Sequence, residues 1–228
     1  MIEAVFLDAG GVIIDESEFE RIKAQILTDI ISKVKIYTIS DYWNDTEEAV
    51  YRFVSSTYEY VLFKNLKDKN QYDQAFEEYK LRWKERKAPF KLMPGLKDLL
   101  ERVSRDYKIG ILGQYGNDFK MFLQEQDILS FFSFQQTQAS YSITKPDPRY
   151  FEAILKEANC MPEKSIMVGD RIDKDIIPAN VLKMKTIRLR TGLHAKQEPR
   201  IPLEIPNMTI SSLSELTKEK IAELGCCV

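Results

Sequence analysis

Six short apolar, β-prone runs constrain this chain more than any other feature; they fall at residues 2–7, 108–112, 132–136, 165–168, 186–189 and 208–210. Helical patterns accompany them at 95–104, behind the helix-starting Pro94, and at 117–126, 148–158 and 214–224. Parallel strands need long crossover connections, which are usually helices. The alternation therefore predicts an α/β fold, a parallel sheet with helices on both faces.

Residues 16–87 interrupt that alternation. Phe19, Ile22, Ile26 and Ile30 recur at helical spacing, so 16–34 reads as one amphipathic helix. Asp45 stands three residues before Glu48, like a capping box, and Ala49, Phe53, Val54 and Val61 extend a stripe from it. Asn70 precedes a third helix whose Tyr72, Phe76, Tyr79 and Trp83 share a face and read as core. The charged run 64–69 reads as a solvated loop. The expected organisation is a core of residues 1–15 and 88–228 carrying a helical insertion at 16–87.

Composition narrows the function. With 228 residues and 44% hydrophobic content the chain can bury a sizeable core without metal or disulfide staples. A net charge of -2 gives no electrostatic footprint for nucleic acid, and no apolar run approaches membrane-spanning length. An acidic Glu3, with no basic region ahead of the first apolar run, argues against a signal peptide, and the odd set Cys160, Cys226 and Cys227 suits a reducing cytoplasm. His194 is the one histidine, which excludes two-histidine sites and weakens Ser–His or Cys–His schemes. Catalytic groups would have to be carboxylates, lysine, hydroxyls or a metal.

Parallel sheets gather ligands at the carboxyl ends of their strands. After the first run comes Asp8-Ala9-Gly10-Gly11, a carboxylate beside backbone N–H groups that can cradle phosphate. Such a carboxylate can attack phosphorus, although Asp-x-Gly is also a common turn. After the second comes Leu112-Gly113-Gln114-Tyr115-Gly116-Asn117, an anion-binding helix start or a plain turn. Before the helix at 148–158 stands Thr144-Lys145-Pro146-Asp147-Pro148, where two prolines stiffen the chain bearing Lys145. Its ammonium can offset the charge of Asp8 and a phosphoryl group, or it is a surface lysine. After the fourth run comes Gly169-Asp170-Arg171-Ile172-Asp173-Lys174-Asp175. Mg²⁺ takes oxygen ligands, so Asp170 is the best metal ligand and Asp175 the best supporting carboxylate, with Asp173 and Lys174 facing solvent. Acidic residues are also favourable at a helix N-terminus without any metal.

In this order the four stations resemble the four motifs of the haloacid dehalogenase superfamily, and the resemblance spans nearly the whole chain. It implies a Rossmann-like core and makes 16–87 the family's helical cap. It further implies that Asp8 is the nucleophile, that Lys145 stabilises it and the phosphoryl group, and that Asp175 supports the metal site. Mg²⁺ would be held by Asp8, the carbonyl of Gly10 and Asp170. The activity implied is cytoplasmic hydrolysis of a small phosphorylated substrate through an aspartyl phosphate.

Two positions depart from the family pattern. Gly10 stands where its phosphatases carry a second Asp, the general acid–base, which is worth about 10²–10⁴ in rate. Gly113 stands where they offer a hydroxyl to the phosphoryl oxygens. Backbone N–H groups of Gly10, Gly11, Gly113 and Gln114, with the Gln114 side chain, remain as phosphate-binding candidates. The alternative is a phosphate- or metabolite-binding relative with little turnover. Dehalogenase or phosphonate hydrolase chemistry ranks lower. Asp170 and Asp175 have no use in a metal-free dehalogenase, and no lysine of the insertion (Lys23, Lys33, Lys35, Lys64) stands out as an imine former.

Overall fold

The computed structural model describes residues 1–85, 89–113, 116–135 and 142–226. Among these the chain forms two compact units, Met1–Asp15 with Phe90–Val228, and Glu16–Pro89.

The first unit is built on β1 (Ala4–Leu7), every residue of which is buried. In the second unit follow α1 (Ser17–Ser32), α2 (Ile39–Tyr51), α3 (Thr57–Asn65) and α4 (Lys69–Glu85). The chain then returns to the first unit with α5 (Leu96–Val103), β2 (Lys108–Ile111), α6 (Asn117–Glu125), β3 (Phe132–Gln135), α7 (Pro148–Glu157) and β4 (Ser165–Gly169). A π-helical stretch, Ile172–Ile176, runs into α8 (Ile177–Val181), and β5 (Lys185–Leu189), β6 (Met208–Ile210) and α9 (Lys218–Cys226) complete it.

The six strands form one sheet in the order β3-β2-β1-β4-β5-β6, and every neighbouring pair is parallel. Each of the six apolar runs in the sequence is a strand of this sheet. Ala4, Phe6, Leu112 and Met167 pack with Tyr150, Phe151, Ile154 and Leu155 of α7. Alternation sends Val5, Ile109, Ile166 and Val168 to the opposite face, where they are buried too. Burial on both faces is why these runs read as continuous apolar stretches rather than alternating ones. Register places Leu7 beside Ile111 on one side and Val168 on the other. Asp8, Leu112 and Gly169 therefore emerge side by side, at the place where the strand order reverses: β2 and β3 lie on one side of β1 and β4 on the other.

The second unit has a core of its own, centred on Ala24, Ile26, Leu27, Ile30, Ile31, Tyr42, Val61 and Leu62. Where the sequence suggested three helices, four are present. The first helix of the split pair starts at Thr38, whose side chain and that of Asp41 form a reciprocal capping box. Asp45 is buried within that helix, accepting hydrogen bonds from Tyr37 Oη (2.8 Å), Asn65 Nδ2 (2.6 Å) and Lys64 Nζ (2.6 Å). Lys64 and Asn65 are accordingly helical and engaged rather than part of a solvated loop. The aromatic face of α4 is as expected: Tyr79 is buried, and Tyr72, Phe76 and Trp83 pack against the same core.

Candidate active site

Asp8 follows directly on β1, and its N–H donates to Val168 O of the neighbouring strand at 2.9 Å. Its Oδ1 accepts from Ala9 N at 2.8 Å and from Lys145 Nζ at 2.7 Å. Lys145 precedes α7, whose N-terminus is fixed by Pro148 and by Asp147 accepting a hydrogen bond from Arg149 N. The same ammonium donates to Asp175 Oδ1 at 2.6 Å, so one buried cation bridges two carboxylates. Burial opposes the charge of Lys145, but the attraction of Asp175 and Asp8 outweighs it and holds the ammonium above its ordinary value. For Asp175 the balance falls the other way. Burial first, and then the charge of Asp8, push its carboxyl up to about 6 despite Lys145. Asp8, Asp170 and Asp175 each present an oxygen within 4.8 Å of the others, a grouping that can hold a metal ion.

Glycine lets these groups come together. A Cβ on Gly113 would lie 2.7 Å from Ala9 N and 2.8 Å from Asp8 Oδ1. One on Gly169 would lie 2.3 Å from Cβ of Asp175. One on Gly11 would lie 2.6 Å from Cγ of Asp170, and Gly11 also has a φ of +70° that other residues rarely adopt. The Gly11 N–H donates to Ile14 O at 2.9 Å, closing the turn after β1. That amide, a phosphate-binding candidate on sequence, makes this bond in the folded turn. Gly10 bridges to Ile14 in the same turn. Gly113 O accepts a hydrogen bond from the buried Tyr150 hydroxyl at 2.9 Å, which ties the turn after β2 to α7. Gln114 lies outside the described residues.

Asp173 does not face solvent as the sequence suggested. Its carboxylate is gripped by Arg171, with Nη2 at 2.6 Å, and by Gln197 Nε2 at 2.8 Å. Burial is the largest influence and works against the ionised form, but the hydrogen bond and charge of Arg171 and the Gln197 hydrogen bond together outweigh it, so the Asp173 carboxyl sits below its usual range. Gln197, Arg171 and Tyr150 are site neighbours that sequence reasoning missed. Gln197 lies 25 residues beyond its partner Ile172 in an irregular segment, where no periodicity marks it.

Against known proteins, residues 11–189 match the model of the haloacid dehalogenase-like hydrolase family. The chain belongs to that family. A glyceraldehyde 3-phosphate phosphatase from Methanocaldococcus jannaschii is 33% identical over 123 residues, 53% of this chain and 52% of that one. The chain thus spans about half the length of the curated relatives it matches. Among solved structures, a haloacid dehalogenase-like protein of unknown function from Agrobacterium tumefaciens superposes with a TM-score of 0.69 at 18% identity, covering 98% of this chain and 99% of its own. A magnesium-bound hydrolase of the same superfamily from Bacillus subtilis gives 0.64 at 16% identity, covering 94% and 96%. At such identities these two likenesses concern the fold. Among the described residues, no helix is long and apolar enough to cross a membrane.

Proposed function

We propose that the chain is a phosphoric monoester hydrolase that uses Asp8 as its nucleophile. The observation that carries this reading is the buried Lys145 bridging Asp8 and Asp175 beside Asp170. Asp8 is the least buried of the three carboxylates, as an attacking group must be. Lys145 holds one of its oxygens, leaving the other for phosphorus. As that oxygen bonds to phosphorus, the bond to the ester oxygen breaks, and the phosphoryl group rests on Asp8 until water releases it. The Lys145 ammonium neutralises part of the charge that gathers there.

The acidic cluster suits a hard divalent cation, and the missing Cβ of Gly11 leaves room for the Asp170 carboxylate at the turn after β1. Asp8, the Gly10 carbonyl and Asp170 would hold Mg²⁺, with Asp175 in support; when bound it supplies positive charge to the phosphoryl oxygens. The magnesium-bound Bacillus structure supports that choice of ion. In this reading residues 16–87 are a cap that selects the ester, and the substrate is a small phosphorylated metabolite. The phosphatase relatives make glyceraldehyde 3-phosphate the first to try. Cys160, a free thiol, supports a cytoplasmic setting.

Gly10 carries no carboxyl to protonate the leaving oxygen. Aryl phosphates, whose leaving groups depart unaided, should be turned over faster than alkyl phosphates, by a margin within the ~10²–10⁴ that general acid catalysis supplies. The test is a panel of aryl and alkyl esters, glyceraldehyde 3-phosphate included, with Mg²⁺ or with chelator and with Asp8→Asn as blank. The expected result is Mg²⁺-dependent phosphate release lost in Asp8→Asn. Binding of Mg²⁺ and phosphate with no turnover of any ester would favour the second reading, a ligand-binding relative. That reading draws on Gly10 and on the tight packing of Gly113 against Asp8, which leaves a hydroxyl-bearing side chain no room there.

A further inference from the structure

The stretch 170–175 carries two of the three acidic residues of the proposed metal site, Asp170 and Asp175, yet regular helix does not hold it. Asp175 N and Ile176 N both donate to Arg171 O, at 3.1 and 3.2 Å, in a π-helical turn. Asp175 Oδ2 accepts from Arg171 N at 3.0 Å. From outside the segment, one buried side chain meets two more of its polar groups. Gln197, fully buried, accepts from Ile172 N through Oε1 at 2.7 Å and donates to Asp173 Oδ1 through Nε2 at 2.8 Å. Its amide thus clamps two consecutive residues lying between Asp170 and Asp175. The segment bearing Gln197 is itself anchored to β5. Arg188 Nη2 donates to His194 O at 2.9 Å, and Arg190 Nε donates to Ala195 O at 2.9 Å.

We infer that Gln197 is a positioning residue for the divalent-metal site: by holding Ile172 N–H and the Asp173 carboxylate together, it sets the separation at which Asp170 and Asp175 face Asp8. The inference rests on the reading of Asp170 as a Mg²⁺ ligand. Outer-shell partners of metal ligands typically change affinity about 10–100-fold when removed, because the ligands lose their orientation. An amide offers both an acceptor for Ile172 N–H and a donor for the Asp173 carboxylate at any ordinary pH.

The decisive variant is Gln197→Glu, because two explanations predict opposite signs. It keeps size and the acceptor for Ile172 N–H but sets a carboxylate against Asp173. If Gln197 acted through local charge alone, an added negative charge would tighten Mg²⁺ binding. If it positions the segment, repulsion from Asp173 opens the clamp and binding weakens, by ~10-fold or more. The double variant Asp173→Asn/Gln197→Glu has the net charge of the wild type and restores a donor–acceptor pair with the roles exchanged, so it should recover most of the loss. Gln197→Leu, which changes no charge, should also weaken binding and stands in should the glutamate variant fail to fold. Mg²⁺ affinity is read by calorimetry on metal-stripped protein, with folding checked by far-ultraviolet circular dichroism and Asp170→Asn as reference. Folded Gln197 variants that bind Mg²⁺ as well as or better than the wild type, while Asp170→Asn does not bind it, would overturn this inference and leave the site assignment standing. A wild type that binds no Mg²⁺ would overturn both.

Discussion

Gly113 is a departure from the family pattern that the surrounding atoms make hard to reverse. Its missing Cβ would sit within 2.8 Å of Asp8 Oδ1 and closer still to the Ala9 backbone, which cannot rotate away. Restoring the family's hydroxyl with Gly113→Ser should therefore destabilise the protein, by about 1–3 kcal/mol as overpacked sites do. It should not raise turnover of an aryl phosphate. Urea unfolding beside initial rates would check this, and a faster, equally stable variant would show that the turn after β2 relaxes more than its packing implies. At this scale the candidate site residues were legible in the sequence. Asp8 and Asp170 directly follow strands, Lys145 precedes a proline-stiffened turn, Asp175 lies five residues past Asp170, and the fold brings all four together. Gln197 and Tyr150 were not legible, because each acts through a long-range hydrogen bond that local pattern does not encode. Asp173 was misjudged for the same reason: its partner Gln197 lies far along the chain.

At the scale of elements the strands were the most readable part, since each is a short apolar run and the central ones, β1 and β4, are buried at every residue. The helices of 16–87 were read less well. Asp45 resembles an N-cap in isolation, but three partners draw its carboxylate inward, and Thr38 with Asp41 caps the helix seven residues earlier. The break after α2 comes at Phe53, which adopts a φ of +57° with neither glycine nor proline to announce it. The π-helical turn 172–176 was equally silent, and it buries Asp175 completely. That burial has a pH signature in metal-free protein. The carboxyl is raised from 3.8 to about 6, so the fold favours its protonated form. The contribution is present below pH ~4 and is lost as pH rises through the folded value of about 6. Unfolding in urea with chelator, from pH 4 to 7, should show wild type losing stability relative to Asp175→Asn as pH rises. A difference of the opposite sign would mean that Asp175 is ionised throughout, held by Lys145 more strongly than burial and Asp8 oppose it.

For the whole molecule, the division into two units makes a claim about energetics. Each unit has its own buried core: Glu16–Pro89 is organised around Leu27, Ile31, Tyr42 and Leu62, and the other around the sheet and α7. The acidic cluster of Asp8, Asp170 and Asp175 belongs wholly to the sheet-bearing unit. Leu27 is fully buried in the helical unit, so Leu27→Ala removes packing there and leaves a cavity, at a cost of about 2–5 kcal/mol. The chain offers a convenient reporter, because both of its tryptophans, Trp43 and Trp83, lie in that unit. Trp83 is packed against its core and tilted 22° from the ring of Tyr79, so its fluorescence should change when the unit opens. Leu27→Ala should therefore lower the urea midpoint seen by tryptophan fluorescence. Circular dichroism should retain a second transition near the wild-type midpoint, from the sheet-bearing unit. Mg²⁺ affinity at low urea should be unchanged, since no atom of the Asp8, Asp170 and Asp175 cluster loses a neighbour. One coincident transition by both probes, with Mg²⁺ affinity falling alongside, would show that the two units fold as a single cooperative block despite their separate cores.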